Sequence, residues 1–134
     1  MTLQYSEALR NAQLNQFEVI IASSPRLQLR TGPPPANVAA ADTGTLIAQV
    51  TLPSDWMQDA NGGVKPLLGV WAANALIDGS VGHFRIKNTA LTITHCQGTV
   101  TIPGGGGDMT TNNVDLVTNQ GVTIVGFTLT AGNA

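Results

Sequence analysis

The sequence predicts a mainly β protein: an antiparallel β-sandwich or jelly roll with one N-terminal α-helix. First, charged residues make up only 10% of the 134-residue chain, where about 25% is usual. Second, 16 Thr and 10 Asn supply much of the polarity, and Thr favours strands whereas Asn favours turns. Third, apolar and polar residues alternate in about six to eight short segments separated by turns. The length fits a single domain over 1–134, with the helix over about 3–22 and the sandwich over about 26–131.

The N-terminal segment has apolar residues at helical spacing. These residues are Tyr5, Leu9, Ala12, Phe17 and Ile20. Thr2 or Ser6 is suited to cap the start, and Pro25 ends the helix because a residue that precedes proline is disfavoured in the α conformation. Polar residues, among them Arg10 and Glu18, occupy the opposite side. We therefore expect the apolar side to pack against a sheet or a partner.

Three segments alternate as strands: RLQLRT, TLIAQVTLP and GHFRIKN. In the third, Phe84 and Ile86 face one way, and the neighbouring His83, Arg85 and Lys87 face the other. The segment 32–44 separates the first two strands and contains three consecutive prolines, which lack the N–H that a central strand needs. We interpret it as an ordered surface loop.

The remaining chain is less regular. PSDWMQDANGG is interpreted as a short helical turn capped by Ser54, and LLGVWAANALI has no clear assignment. The apolar phase shifts within ALTITHCQGTVTIPG, which predicts a bulge near Gln97–Gly98. The C-terminal segment predicts two strands joined at Asn119–Gly121, with a further bulge or burial on both faces of the last strand.

Composition argues against several partners. The net charge is −2 and the six basic residues are scattered along the chain, so we expect no nucleic-acid partner, which would need clustered Lys or Arg. No segment is apolar over enough residues to cross a bilayer, and the N-terminus lacks the pattern of a signal peptide. The single cysteine, Cys96, cannot form an internal disulfide, which suits assembly in a reducing compartment.

The glycine run at 104–107 does not match a nucleotide-binding loop. A phosphate-binding loop carries Lys and Ser or Thr after its last glycine, but Asp108 stands there. We expect a mobile connection between strands. DMTTNNVD lacks the alternating acids of an EF-hand and is interpreted as a set of Asx turns.

No other group of residues predicts catalysis, a cofactor or a metal. His95 and Cys96 are adjacent, so in a regular strand they point to opposite faces and cannot share a metal with His83. Asp55 and Asp59 lie on one predicted helical turn rather than across a cleft, as a glycosidase requires, and the serines lack a nucleophile motif. Two tryptophans and a methionine are suited to a sugar platform or to the core, and we favour the core: Trp56, Met57 and Trp71. We predict that the protein is not an enzyme.

Several stretches together resemble small virion structural proteins of tailed bacteriophages. They are RTGPPPANVAAADTGTLIAQVTLPSDWM, GHFRIKN, QGTVTIPGGGGDMTTNN and GFTLTAGNA. Head decoration or cement proteins of this kind commonly have β-sandwich or jelly-roll folds and sit on the capsid lattice. The resemblance therefore implies a binding role without chemistry, and it assigns no role to individual residues.

The leading hypothesis is a decoration or cement protein that binds the major capsid protein on the virion surface after assembly in the host cytoplasm. A homo-oligomer is expected, with a dimer as the first expectation. The proline loop supplies the candidate contact residues: Pro33, Pro34, Pro35 and Asn37. The alternatives are a tail-associated or receptor- or glycan-binding module of the virion and, less favoured, an enzyme acting on cell-wall sugars.

Overall fold

The computed structural model describes residues 3–131. This part of the chain forms one helix, α1 (Glu7–Ile21), and ten strands. The strands are β1 (Arg26–Arg30), β2 (Leu46–Thr51), β3 (Val64–Pro66), β4 (Ala72–Asn74), β5 (Gly79–Ser80), β6 (His83–Lys87), β7 (Thr94–Thr101), β8 (Met109–Thr111), β9 (Asp115–Leu116) and β10 (Gly121–Thr130).

Most strands belong to one curled sheet that has the form of a half-barrel. Its order is β2-β1-β6-β7-β8-β10-β3, β4 also pairs with β10, and β5 and β9 form a separate ribbon. The prediction of a mainly β protein with one helix is confirmed. The antiparallel sandwich or jelly roll is not confirmed, because β7 and β8 pair in parallel, with Val100 opposite Met109, and the sheet is therefore mixed.

The glycine run explains how two consecutive strands become parallel neighbours. Residues 102–108 take the chain through a full loop, so that β8 returns beside the end of β7 in the same direction. Gly105 and Gly107 pass close over Thr101, where an added Cβ would lie 2.7 or 2.8 Å from its atoms. The amide of Gly107 donates to Thr101 Oγ1 at 3.0 Å. The run thus has a steric role in a tight loop.

The core lies inside the curl and contains a row of aromatic rings. Trp56, Trp71, Phe127 and Phe84 contact one another in that order, with centroids 5.5–6.0 Å apart. Trp56 and Trp71 are almost completely buried, and their indole N–H groups donate to the carbonyls of Ala22 and Leu68. The predicted core role of both tryptophans is confirmed.

Strands β1, β2 and β6 lie where the alternation predicts them. In β6, Phe84 and Ile86 face the core, as predicted, yet the polar residues of the strand are also buried. The reason is its place in the middle of the sheet, between β1 and β7, with a loop over its polar face.

Both predicted irregularities are present, one of them displaced. In β10 the register shifts between Ile124 and Gly126, so Val125 is the extra, exposed residue and both apolar sets can face inward. In β7 the shift lies at His95, between the partners of Ile86 and Lys87. The predicted position at Gln97–Gly98 is wrong by two to three residues, because these two residues pair regularly with Arg85 and Phe84.

The predicted helical turn at 53–63 is wrong. Trp56 and Met57 are consecutive and both buried, which an extended segment between packed layers permits. Asn61 and Val64 then close a two-residue hairpin turn. Gly62 and Gly63 both have positive φ, +63° and +74°, as a type I′ turn requires.

Helix α1 starts at Glu7, later than the predicted start at about residue 3, and of its predicted apolar side only Phe17 packs against the core. Ser6 caps it by accepting the amide of Leu9; the other proposed cap, Thr2, lies outside the described residues. Leu14 and Ile21 are buried and Phe17 is partly buried, whereas the predicted contact residues Leu9 and Ile20 are exposed. The prediction failed because polar groups elsewhere in the protein hold the helix by its polar side. The helix is too short and too polar to be a candidate for a membrane span, and it is the one helix that residues 3–131 contain.

Candidate functional site

The predicted contact residues lie on a loop that covers the polar face of the sheet. This loop, residues 31–45, joins β1 to β2 and passes over β6. Pro33 and Asn37 are exposed, and Pro34 and Pro35 are half-buried. The loop therefore presents part of its proline segment outward while its other side lies on the strands.

The backbone carbonyls of the loop are the groups that hold it down. His83 Nδ1 donates to the carbonyl of Gly32 at 2.9 Å, and Gln97 Nε2 donates to that of Pro35 at 2.9 Å. Arg85 Nη2 donates to the carbonyl of Val38, also at 2.9 Å. Because these bonds use backbone atoms, the side chains of the prolines are not needed for them. The expectation of an ordered loop agrees with these contacts.

Asn37 shapes the loop through its own side chain. Its Oδ1 accepts the amide of Ala39 at 3.0 Å, and its carbonyl accepts the amide of Ala40 at 3.2 Å. This is an Asx turn, in which a short polar side chain replaces a backbone partner. Asn37 therefore has a structural role in the loop through its Oδ1 atom. The residue is also exposed, so a partner can reach it.

Asp42 fastens the far end of the loop to three basic side chains. Its Oδ1 accepts from Arg85 Nη1 at 2.6 Å, and its Oδ2 accepts from Lys87 Nζ and from Arg30 Nη2 at 3.2 Å. Arg85 also donates to the carbonyl of Ala40 at 3.0 Å. We call Asp42 with Arg30, Arg85 and Lys87 the Asp42 clamp.

The clamp keeps Asp42 ionised. Burial disfavours its charge, but the hydrogen bonds from Lys87 and Arg85 and the charge of Arg30 outweigh this effect and lower the pKa of Asp42 below its usual value. The side chain of Arg85 is only 1% exposed, so it depends on the carboxylate and on the loop carbonyls for compensation. The Asp42 clamp therefore holds the loop on the strands only while Asp42 is ionised.

The fold brings together basic residues that are scattered along the sequence, so the expectation that they do not cluster is wrong. Arg26 and Arg30 on β1 share one face with Arg85 and Lys87 on the adjacent β6. Four of the six basic residues therefore lie together. Alternation alone predicts a polar face on each strand, whereas the pairing of β1 with β6 involves residues distant in sequence.

A groove of about 430 Å³ opens beside the clamp, between the loop and the turn that joins β6 to β7. Its walls are Val38–Asp42 on the loop, Arg85 and Lys87 on β6, and Thr92–Thr94 at the start of β7. Its charged lining residues are two bases, Arg85 and Lys87, and one acid, Asp42, so the groove is electropositive. It can receive a neutral or acidic group, but it contains no Ser, Cys or His nucleophile or base among its lining residues.

The other residues that were considered for chemistry have structural roles. Asp108 Oδ2 accepts the amide of Thr99 at 2.9 Å and its hydroxyl at 3.1 Å, which joins β7 to the segment before β8. Asn113 forms an Asx turn with the amide of Asp115, in agreement with the prediction. Asp55 and Asp59 are exposed on an irregular segment rather than on a helical turn.

His83, His95 and Cys96 do not form a common site. His83 is buried beneath the proline loop, His95 lines a groove beside α1, and Cys96 packs against the core. Burial, with the nearby Asp108 carboxylate, raises the pKa of Cys96 to about 11. Within residues 3–131, no three His, Cys, Asp or Glu side chains come close enough to hold a metal ion.

Comparisons with known proteins gave no match: no family model, no curated protein and no solved structure is similar to this chain. The features of this chain that bear on function are the geometry of the loop and its clamp. The loop was predictable from the sequence, but Asp42 was not predicted; the available signal was a lone acid in an otherwise uncharged loop, together with the basic alternation of β6 further along the chain.

Proposed function

We propose that this protein is a structural protein of a tailed-phage particle, which decorates or cements the head shell by binding the major capsid protein. The observation that supports it most is the proline loop. Side chains of the sheet hold its backbone carbonyls, and Pro33 is exposed on its outer side. In this proposal the curled sheet is the rigid scaffold that carries the loop. A jelly roll commonly has that role in head decoration proteins.

A loop held in this way is suited to binding because its ordering cost is already met on folding. The prolines have restricted φ in the free chain, and the hydrogen bonds from His83, Gln97 and Arg85 hold the loop carbonyls in place. Binding then loses little further conformational entropy. The partner surface that fits is neutral or acidic, since the adjoining groove is electropositive.

The proposal assigns no catalytic activity. The acids of the described chain are either exposed, as Asp55 and Asp59 are, or engaged in ion pairs, as Asp42 is with Arg85 and Glu18 is with Lys65. The sugar platform considered for the tryptophans is not formed, because both are buried in the core. Capsid binding is for this reason favoured over receptor or glycan recognition.

The test is attachment to particles that lack the native protein. We expect replacement of Pro33, Pro34 and Pro35 by glycine to reduce occupancy on the particle, because the loop loses its preset shape while its anchoring carbonyls remain. Pro103→Gly is the matched control, since Pro103 is exposed and lies on a different loop. A thermal melt of each free variant separates lost attachment from lost folding.

Undiminished occupancy of the triple variant would remove the loop from the interface. Binding of the wild-type protein to the tail and not to the head would support the tail-associated alternative. Turnover of peptidoglycan or polysaccharide that disappears in Asp55→Ala or Asp59→Ala would contradict the absence of enzymatic activity.

A further inference from the structure

The outward face of α1 carries no charge. The exposed residues of the helix are Glu7, Ala8, Leu9, Ala12, Gln13, Gln16, Val19 and Ile20, and the one charged member, Glu7, lies on the other side and accepts the amide of Gly62. Val19 and Ile20 are each 66% exposed and Leu9 is 46% exposed. A surface helix of a monomer normally places its apolar side inward and its charges outward. Helix α1 buries Leu14 and Ile21 but leaves Leu9, Val19 and Ile20 outside and turns its charges toward the protein.

The charges of the helix are all used on its inward side. Glu18 Oε1 pairs with Lys65 Nζ at 2.7 Å, and Lys65 is fully buried. Glu7 Oε1 accepts the amide of Gly62 at 3.2 Å, and Arg10 Nη1 donates to the carbonyl of Ala131 at 3.3 Å.

Two asparagines complete this attachment. Asn15 Oδ1 accepts from Lys65 Nζ and from the amide of Ala60, each at 2.9 Å. Asn11 Oδ1 accepts the amide of Gly63 at 2.9 Å. The helix therefore cannot turn its apolar side inward without leaving Lys65 unpaired in the interior, which is strongly unfavourable.

The exposed stripe has a symmetric pattern. Leu9, Gln13, Gln16 and Ile20 are spaced by four, three and four residues, and at 3.6 residues per turn they fall within an arc of about 60°. The pattern reads as apolar, Gln, Gln, apolar in both directions. An antiparallel copy related by a two-fold axis between residues 14 and 15 places Leu9 opposite Ile20 and Gln13 opposite Gln16.

A groove beside the stripe offers a place for the opposing side chain. It has a volume of about 230 Å³ and is lined by Gln13, Gln16, Phe17, Ile20, Ile21 and His95. In the antiparallel arrangement Leu9 of the second copy arrives next to Ile20, at this groove, and symmetry repeats the contact. The paired glutamines can both donate and accept across the axis.

We propose that the chain forms a two-fold symmetric dimer through α1, with the helices antiparallel and Leu9 of each copy in the groove of the other. Self-association suits this stripe because neither copy brings a charge that would be buried unpaired. A charged partner surface would gain nothing from it. The inference stands apart from the proposed function, since it concerns the free protein.

The orientation is tested by disulfide trapping in a Cys96→Ser background. Leu9→Cys and Ile20→Cys proteins are mixed and exposed to a mild oxidant. We expect the mixed Leu9→Cys/Ile20→Cys dimer to form in preference to either homodimer. Preferential formation of both homodimers would indicate parallel helices and would overturn the proposal.

The contact itself is tested by sedimentation equilibrium. Ile20→Glu places a charge against Leu9 of the second copy. We therefore expect the dissociation constant of the dimer to rise by about a hundredfold or more, with an unchanged circular dichroism spectrum. Ile102→Glu is the control, because Ile102 is also exposed, at 49%, but lies on the loop between β7 and β8. This substitution should leave the dimer intact. A wild-type protein that stays monomeric, or a dimer indifferent to Ile20→Glu, overturns the proposal. If the protein is monomeric and Ile20→Glu lowers particle occupancy, the face binds the capsid, and only the dimer is refuted.

Discussion

Removing the charge of Asp42 should loosen the proline loop and destabilise the whole protein. In Asp42→Asn the side chain keeps its size but loses its charge, and with it the ion pairs with Arg85, Lys87 and Arg30. Arg85 and Lys87 are 1% and 10% exposed in their side chains. They would therefore remain largely buried without a compensating anion.

The expected loss follows from this burial. Breaking one partner out of a buried ion pair typically costs about 3–5 kcal/mol. The Asp42 side chain itself is 29% exposed, so water offsets part of the loss. We expect a decrease of about 2–3 kcal/mol in the free energy of unfolding, which corresponds to a decrease of about 6–12 °C in Tm for a chain of this length.

Denaturant unfolding monitored by tryptophan fluorescence measures this loss, since Trp56 and Trp71 are buried in the core. Asp59→Asn is the control because it makes the same charge change at an exposed position, where an effect within about 0.5 kcal/mol is expected. Equal stabilities of Asp42→Asn and Asp59→Asn would refute the role of the Asp42 clamp in holding the loop on the strands.

Three further outcomes follow from the same structure. Because the pKa of Asp42 is lowered on folding, its contribution is complete above about pH 5, where the unfolded carboxyl is ionised, and is lost as pH falls through the folded pKa; the difference in unfolding free energy between wild type and Asp42→Asn should therefore shrink as the solution is acidified, and a difference that stays constant with pH would contradict this. Gly107→Ala should cost more stability than Gly104→Ala in denaturant unfolding, because a Cβ at 107 would lie 2.8 Å from Thr101 atoms whereas one at 104 meets no atom within 4 Å and strains only its φ of +89°; equal costs would exclude the steric role of the run. With its pKa raised to about 11, the Cys96 thiol should react with iodoacetamide at about pH 8 far more slowly in the folded than in the unfolded protein, and equal rates would contradict its burial.

Local alternation predicted the elements whose two faces differ in chemistry. Phe84 and Ile86 identified the core face of β6, and the change of apolar phase in β10 indicated a bulge or burial on both faces, which the structure resolves as a bulge at Val125. The hairpin turn at Gly62–Gly63 was missed, although two glycines between strands are a recognised signal. The sequence around Trp56 and Met57 favours a helical turn, whereas the structure buries both side chains on an extended segment.

The orientation of α1 was not available from the helix alone. An amphipathic pattern indicates which residues are apolar, but the position of the helix is decided by Lys65, whose buried ammonium needs Glu18 and Asn15. Lys65 lies 50 positions after Asn15 in the sequence, so the pattern of the helix itself does not reveal this contact. Parallel pairing of β7 with β8 likewise depends on the fit of Gly107 over Thr101.

The candidate site was predicted in part. Restricted prolines indicated an ordered loop, and this inference needed only local stereochemistry. The clamp joins Asp42 to Arg85 and Lys87, which are more than forty residues away, and it depends on β1 lying beside β6. No local pattern records that neighbourhood, so the electropositive groove emerged only from the fold.

The proposed binding role is tested most directly by counting and locating this protein in purified particles. Quantitative mass spectrometry gives its ratio to the major capsid protein, and cryo-electron microscopy of the same particles gives its position. We predict a copy number in proportion to the capsid lattice and density on the head surface, with the proline loop toward the shell. A few copies confined to the tail, or absence from the particle, would contradict the proposal.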